Sequence, residues 1–332
     1  MSVTVRAFAK INLGLCIGSL RADGFHELRT VYQTIALHDV IRVQVVRGSG
    51  VEIRCADARV PCDPSNTCYR IAERAMAALN AKGRVVVEIE KRLPVQGGLG
   101  GASANAVATL LGLQRELKKP LSGSEGLRIA AEVGSDLPLF LVGGTILGVG
   151  RGEEVYPVPD LPETHCVIAT PEIGVSTPRA FTAWDRMWSD GSAPALTRSS
   201  PSARMTEVSR VVSAWLSGAP GGEGFRRTVS GVLAHGRGRA EILLLDLVRT
   251  GIENDFERVV FPQHPELREV KSVLVGAGAD YASLSGSGSA VFGLFRSGAV
   301  ARRAAAALAK LGVPSRATKT LSRPGYWRKI FD

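Results

Sequence analysis

The sequence predicts an α+β protein of two domains, and three observations carry that expectation. A short apolar strand at 85–89 runs through a glycine-rich turn into a helix, a unit that packs a helix on a sheet. The C-terminal half mixes helices with short apolar strands that read as antiparallel. A proline-rich stretch at 157–163 separates the two, so the expected domains are 1–160 and 161–332. A chain of 332 residues is long enough to bury two cores.

The first domain opens on a strand of period two. Val5, Ala7, Ala9, Ile11, Leu13 and Leu15 share one face, and Arg6, Phe8, Lys10, Asn12 and Gly14 the other. Lys10 and Asn12 therefore stand side by side, on a solvated face or in a cleft; the period allows both. Arg21-Ala-Asp-Gly24 is a turn. Phe25 and His26 follow it, a phenyl beside an imidazole, able to sandwich a planar group or to anchor the loop to the core. Strand material spans 31–46 with a break expected near His38-Asp39, and another strand covers 51–55. A helix is expected over 67–81, with Ile71, Ala75, Ala78 and Leu79 inward.

The glycine-rich turn comes next. Gly97, Gly98, Gly100 and Gly101 let the backbone bend and approach a ligand closely. Ser103 is placed to cap the helix, and Ala104, Val107, Ala108 and Leu111 form its apolar stripe. Orphan N–H groups and the dipole of a helix entered this way favour phosphate. A further helix is expected over 125–133, broken by Gly134-Ser-Asp-Leu-Pro138. Asp136 there abuts the apolar run 139–142. A carboxylate against buried surface needs a partner or a capping role, and Lys10 is a candidate partner. Glycines 143 to 152 suggest a hairpin.

In the second domain a strand is expected at 166–169, a helix from Thr177 with Pro178 in its first turn, and a polar excursion at 189–202. A helix at 205–216, flexible glycine breaks at 218–224 and 236–238, and an apolar run at 242–247 follow. Glu253-Asn-Asp-Phe256 opens another helical region, and 265–275 is a helix. A second glycine-rich turn lies between two strands within 281–295. A helix at 300–311 and a strand at 316–321 complete the chain.

Composition bounds the function. Hydrophobic residues make up 45% and charged residues 22%, an ordinary globular balance. A net charge of +10 favours anionic ligands, but the basic residues are spread without a block, which argues against nucleic acid. The five cysteines form no close pair of the CxxC kind, so neither a disulfide scaffold nor a zinc knuckle is expected. The apolar run 137–149 is too short and too rich in glycine to span a membrane, and no signal segment is expected, since Arg6 and Lys10 interrupt the apolar start; reduced thiols then fit the expectation of a cytoplasmic protein. No GxxxxGK[ST] and no GxGxxG of the dinucleotide type is present.

What remains is an ordered set of motifs: Ala9-Lys-Ile-Asn-Leu13, Arg21-Ala-Asp-Gly-Phe-His-Glu27, Leu93-Pro-Val-Gln-Gly-Gly-Leu-Gly-Gly-Ala-Ser-Ala-Asn-Ala106, Gly134-Ser-Asp-Leu-Pro-Leu-Phe140, Asn254-Asp-Phe256 and Leu284-Ser-Gly-Ser-Gly-Ser-Ala290. Over nearly its whole length the chain resembles the GHMP small-molecule kinases. The first two motifs most resemble the branch that acts on 4-diphosphocytidyl-2-C-methyl-D-erythritol in non-mevalonate isoprenoid synthesis. The resemblance implies an N-terminal domain like ribosomal protein S5 domain 2 and a C-terminal ferredoxin-like α/β plait. It implies ATP as phosphoryl donor, with Mg²⁺ carried by the phosphates and no protein residue assigned as its ligand. By the same resemblance Lys10 and Asp136 are catalytic: Asp136 would orient the substrate hydroxyl and accept its proton, and Lys10 would stabilise the charge that develops. Asn12, Phe25, His26, Thr177, Pro178 and Phe181 would bind the cytidyl substrate, with rings flanking the base. Pro94, Val95, Gln96, Gly97, Gly98, Leu99, Gly100, Gly101, Ala102, Ser103 and Ala104 would cradle ATP, with Asn66 and Lys91 on the adenosine side. Small-molecule substrate and ATP would be the only partners, of a monomer or homodimer.

The chain departs from the family pattern at four of these positions. Phe25 stands where tyrosine is usual. Gln96, Ala102 and Ala104 stand where glycine or serine is more frequent. A related kinase of mevalonate, homoserine or sugar type is the alternative, and a ligand-sensing relative a more distant one.

Overall fold

Two sheets carry the observed architecture. The computed structural model describes residues 2–189, 205, 206, 208–210, 213 and 253–331. All but Ser189 of the expected excursion at 189–202, half of the expected helix at 205–216, and the glycine and apolar stretches at 218–247 lie outside the described residues; the described residues within 205–216 are helical.

β1 (Val3–Leu20) and β2 (His26–Val46) form a long antiparallel ribbon. β2 also pairs with β4 (Arg84–Glu90) and β5 (Thr145–Val149). β3 (Val51–Cys55) runs parallel to β4, and β6 (Glu154–Pro157) closes the other edge beside β5. The order is β3-β4-β2-β5-β6 with β1 on β2. α1 (Thr67–Ala78) and α2 (Gly101–Leu117) pack together, and α2 also lies on β1 and β2. α3 (Gly123–Val133) and α4 (Leu137–Val142) pack against each other beside them.

The second sheet is wholly antiparallel in the order β10-β7-β9-β8. It comprises β7 (His165–Ala169), β8 (Tyr281–Leu284), β9 (Val291–Phe295) and β10 (Ser315–Lys319). Helices packed with it include α5 (Thr177–Ser189), α6 (Glu257–Gln263), α7 (Pro265–Gly276) and α8 (Gly298–Lys310). The proline-rich segment 157–163 joins β6 of the first sheet to β7 of the second. α9 (Arg323–Lys329) returns to the first core, where the Tyr326 hydroxyl donates to the Phe140 carbonyl at 2.6 Å.

β1 is the spine. Its residues enter all three apolar clusters: Val5, Ala7 and Phe8 in the first, Ala9, Ile11 and Leu13 in the second, Leu15 and Ile17 in the third. The strand is therefore covered on both faces, and the polar face of the period-two pattern is buried rather than solvated: Lys10 is 3% and Asn12 1% exposed.

Several local expectations are corrected. β2 does not break at His38-Asp39. Asp39 stays in register opposite Ala7, and its buried carboxylate accepts from the Arg92 and Leu93 N–H groups, both at 2.7 Å, and from Lys91 Nζ at 2.6 Å. A fully partnered acid does not interrupt a strand. α2 begins at Gly101, not Ser103, because Gly100 adopts a left-handed conformation and serves as N-cap without a side chain. The apolar run after Asp136 is a helical turn and a half. In α1 the inward positions include Ala72 and Met76, whereas Ala78 is exposed.

Candidate functional site

β1 carries the centre of the site. Register irregularities fall on either side of Lys10 and Asn12, between Phe8 and Lys10 and between Asn12 and Gly14. Such bulges re-aim side chains. Lys10 Nζ donates to Asn12 Oδ1 at 2.7 Å and lies 3.6 Å from Asp136 Oδ2. Asn12 Nδ2 donates to Thr30 Oγ1 at 2.8 Å, and that hydroxyl donates to the Gly14 carbonyl at 2.8 Å. Asn12 is thus held from behind by β2 while it accepts from the ammonium.

Asp136 is the N-cap residue of α4, yet its side chain makes no capping bond. It stays available: the Tyr32 hydroxyl donates to Oδ1 at 3.1 Å and Lys10 faces Oδ2, while the side chain keeps 37% of its exposure. A buried cation, a phenol donor and a half-open carboxylate can polarise an alcohol brought to that carboxylate. Burial lowers the Lys10 pKa from the ordinary 10.5, and the charge and hydrogen bond of Asp136 oppose that fall. Burial, then the Asp136 charge, pushes Tyr32 well above 10.0, so the phenol remains a donor.

The glycine turn sits directly on this pair. The Lys10 N–H donates to the Leu99 carbonyl at 3.0 Å. Gly98 and Gly100 have φ of 73° and 68°, the left-handed region that favours glycine. A Cβ on Gly100 would fall 2.9 Å from Phe140 Cζ and 3.1 Å from Lys10 Cγ. With no side chain capping α2, its first N–H groups are open to an anion. That donor set, with Lys10 beside it, fits a polyphosphate. Among the described residues no group of three or more His, Cys, Asp or Glu side chains could hold a metal ion.

The second glycine turn closes the opposite side. Ser285 Oγ donates to the Gly98 carbonyl at 3.0 Å, and the Ala290 N–H to the Gly97 carbonyl at 3.1 Å. Asn254 Nδ2 donates to the carbonyls of Leu284 and Gly286 at 2.8 and 2.7 Å, and Asp255 Oδ2 accepts from the Ile17 N–H at 2.8 Å. The Asn254-Asp255-Phe256 motif therefore ties β1 to this turn, and Ser285 and Ala290 tie the turn to the first glycine loop.

The other sequence-derived positions divide. His26 and Phe181 stack, with ring centroids 4.8 Å apart and planes within 7°. Thr177 Oγ1 lies 2.6 Å from Ser287 Oγ, which joins the start of α5, including Pro178, to the second glycine turn. Phe25 does not join the stack: half exposed, its ring lies 4.9 Å from the Arg151 guanidinium. Lys91 is occupied by Asp39, and its Nζ stands 3.4 Å from where a Cβ on Gly101 would be. Asn66 caps α1, accepting from the Cys68 N–H and donating to the Pro61 carbonyl. Thr67 Oγ1 donates to the Ala102 carbonyl at 2.9 Å, so α1 is fastened to the loop. Gln96 holds φ at 61°, a left-handed conformation that glycine would take with less strain. No hydrogen bond engages the Ser103 side chain as a cap.

Sequence reasoning missed Thr30, Tyr32, Asp39 and Asp185. Tyr32 and Thr30 are on β2, opposite Asn12 and near it, and the strand pairing that brings them there is the only signal. Asp185, four residues after Phe181 on α5, lies 2.7 Å through Oδ1 from His26 Nε2.

Comparison with known proteins gives the same frame. Residues 66–144 match the GHMP kinases N terminal domain and residues 240–313 the GHMP kinases C terminal model. The chain is 37% identical over 294 residues to 4-diphosphocytidyl-2-C-methyl-D-erythritol kinase of Solibacter usitatus, covering 88% of this chain and 81% of that one. It is 35% identical over 331 residues to the enzyme of that name from Nocardia farcinica, covering 99% and 96%. A crystal structure of 4-(cytidine 5'-diphospho)-2C-methyl-D-erythritol kinase superposes with a TM-score of 0.68 at 28% identity, over 96% of this chain and 98% of that one. Homoserine kinase from Cytophaga hutchinsonii superposes with a TM-score of 0.66 at 20% identity, over 97% and 95%, and so shares the fold. With the α+β fold, the paired glycine turns and relatives matched over most of their length, the chain belongs to the GHMP kinase family of ATP-dependent small-molecule phosphotransferases.

Proposed function

We propose that this kinase transfers the γ-phosphoryl group of ATP to the 2-hydroxyl of 4-diphosphocytidyl-2-C-methyl-D-erythritol, giving the 2-phosphate and ADP for non-mevalonate isoprenoid synthesis. The observation that carries this reading is the placement of two groups of side chains along the β1–β2 ribbon. Lys10, Asn12 and Asp136 form one group, and the stacked His26–Phe181 pair the other. Six strand positions separate Tyr32 from His26, roughly 20 Å at ~3.3 Å per residue. A substrate with a reacting alcohol, a diphosphate spacer and an aromatic base uses both groups. A small aliphatic alcohol such as homoserine or mevalonate leaves the aromatic pair idle. The names of the relatives support the same substrate.

In this reading Asp136 orients the hydroxyl and accepts its proton, Tyr32 steadies the carboxylate, and Lys10 stabilises charge on the attacking oxygen and the phosphoryl group. Asn12 holds Lys10 and the substrate. The backbone from Pro94 to Ala104 and the open start of α2 hold the ATP phosphates, and the Mg²⁺ they carry neutralises their charge. Most of the catalysis is placement and electrostatics. The domain limits, 1–160 and 161–332, go with this proposal, the site being completed by α5 and the second glycine turn. The reading is tested by which acceptor alcohol drives ADP release.

A pH dependence follows from Lys10. Its lowered pKa means that the ammonium is lost below pH 10.5 as pH rises, so kcat/KM should fall on an alkaline limb below that value. Tyr32 is pushed the other way and does not supply the limb. The folded state binds fewer protons at Lys10 than the unfolded state in this window, so the group's contribution to stability rises with pH. Loss of activity together with retained circular dichroism is the expected pair. Activity that stays level past pH 10.5 would contradict it.

A further inference from the structure

The aromatic end of the site holds one charged contact that the reading above does not use. His26 is buried, at the start of β2, with its ring flat on Phe181. Phe181 is in turn braced edge-on by the buried Phe256, centroids 5.0 Å apart. Asp185 lies one helical turn beyond Phe181, on the same face of α5. Its carboxylate reaches His26 Nε2 at 2.7 Å, although the Asp185 side chain is 53% exposed. A half-exposed acid has water available and does not need a buried histidine for its own solvation. The contact therefore acts on the ring.

An ionised carboxylate is an acceptor only, so the Nε2 nitrogen must carry the proton between them. In the neutral imidazole the other nitrogen, Nδ1, is then an acceptor. The contact also sets the ring's tilt, since the stack on one side and the hydrogen bond on one edge leave no free rotation.

We propose that Asp185 is a positioning residue for base recognition. It fixes His26 flat on Phe181 in the Nε2–H tautomer, so that Nδ1 is presented as an acceptor to a base carrying an exocyclic amino group and opposes one carrying a carbonyl there. The ligand selected is a cytidyl diphosphate, and the one rejected is its uridyl counterpart. The inference rests on the cytidyl reading of the site. It assigns to Asp185 the discrimination between two pyrimidines that stack equally well.

The test compares wild-type protein with Asp185→Asn, Asp185→Ala and Asp185→Glu. Steady-state constants are measured with the cytidyl substrate, its uridyl counterpart and ATP, and the His26 tautomer is read from ¹⁵N shifts of histidine-labelled protein. Wild type should prefer the cytidyl substrate by ~100-fold in kcat/KM, as expected of a site that pairs a base edge. In Asp185→Ala and Asp185→Asn that preference should fall about ten-fold through KM for the cytidyl substrate, as for loss of a charge-assisted bond, with kcat and the ATP KM within about two-fold. The ¹⁵N signals should shift from the Nε2–H form to a mixture, and Asp185→Glu should recover most of both. A wild-type preference that survives Asp185→Ala intact overturns the proposal alone. Wild-type protein with no cytidyl preference overturns the reading of the site, and the proposal with it.

Discussion

Asp136→Asn should lower kcat by about 10³-fold and leave ATP binding within about two-fold, the size expected when a general base is removed and its geometry kept. The carboxylate accepts from Tyr32 through one oxygen and faces the Lys10 ammonium with the other. An amide has one acceptor and one donor, so one of those two donors meets an N–H₂ group instead. The ammonium also loses the negative charge that offsets its burial. In the proposed reading ATP is held by the glycine loop, on the other side of Lys10 from Asp136, which separates the two effects. Turnover measured beside calorimetric titration of ATP decides it. Unchanged turnover would remove Asp136 from the chemistry.

Gly98→Ala should be nearly as damaging, for a different reason. A methyl group at this position would lie 2.1 Å from the Ser285 carbonyl oxygen and 3.1 Å from that of Gly288, with the backbone at φ +73°. Both obstacles are backbone, and neither can move without shifting a loop. The left-handed conformation costs an alanine about 1 kcal/mol by itself, and overpacking adds ~1–3 kcal/mol. The two glycine turns should part, with a Tm lower by roughly 5–10 °C and kcat/KM reduced by at least about 100-fold in protein that remains folded. Gly123→Ala is the control, since nothing lies within 4 Å of its Cβ and its backbone is not left-handed. Equal melting temperatures and activities for the two variants would show that the turns are not in close contact.

Much of the fold was legible because periodicity and glycine carry local physics. The alternation of β1 put Lys10 and Asn12 together, and strand 84–90, its turn and α2 follow from a strand, a run of glycines and a helical stripe. Periodicity could not say that β1 is covered on both faces, because the cover comes from α2 and the second sheet, elements distant in sequence. The same limit hid Tyr32 and Asp185. Tyr32 reaches Asp136 across 104 positions and Asp185 reaches His26 across 159, so no window contains either pair. His38-Asp39 looks like a break to a propensity argument, yet the acid is held by Lys91 and two backbone N–H groups that only the folded sheet supplies. Phe25 and His26 are adjacent in sequence but diverge in space, because the turn ends between them: His26 enters β2, and Phe25 stays on the loop under Arg151. Spacing allows Phe25 either to flank a planar group or to anchor its loop, and in the structure His26 is the ring that faces Phe181. No local pattern places Lys10, Asp136 and the two glycine turns together; only the ordered set of motifs does.

The most direct test of the whole account is a competition among acceptor alcohols. Purified protein with ATP and Mg²⁺ is offered 4-diphosphocytidyl-2-C-methyl-D-erythritol, mevalonate and homoserine, and ADP release is followed for each. Turnover with the cytidyl substrate is expected at a kcat/KM at least about 100-fold above the others. Phosphoryl transfer confined to mevalonate or homoserine would contradict it.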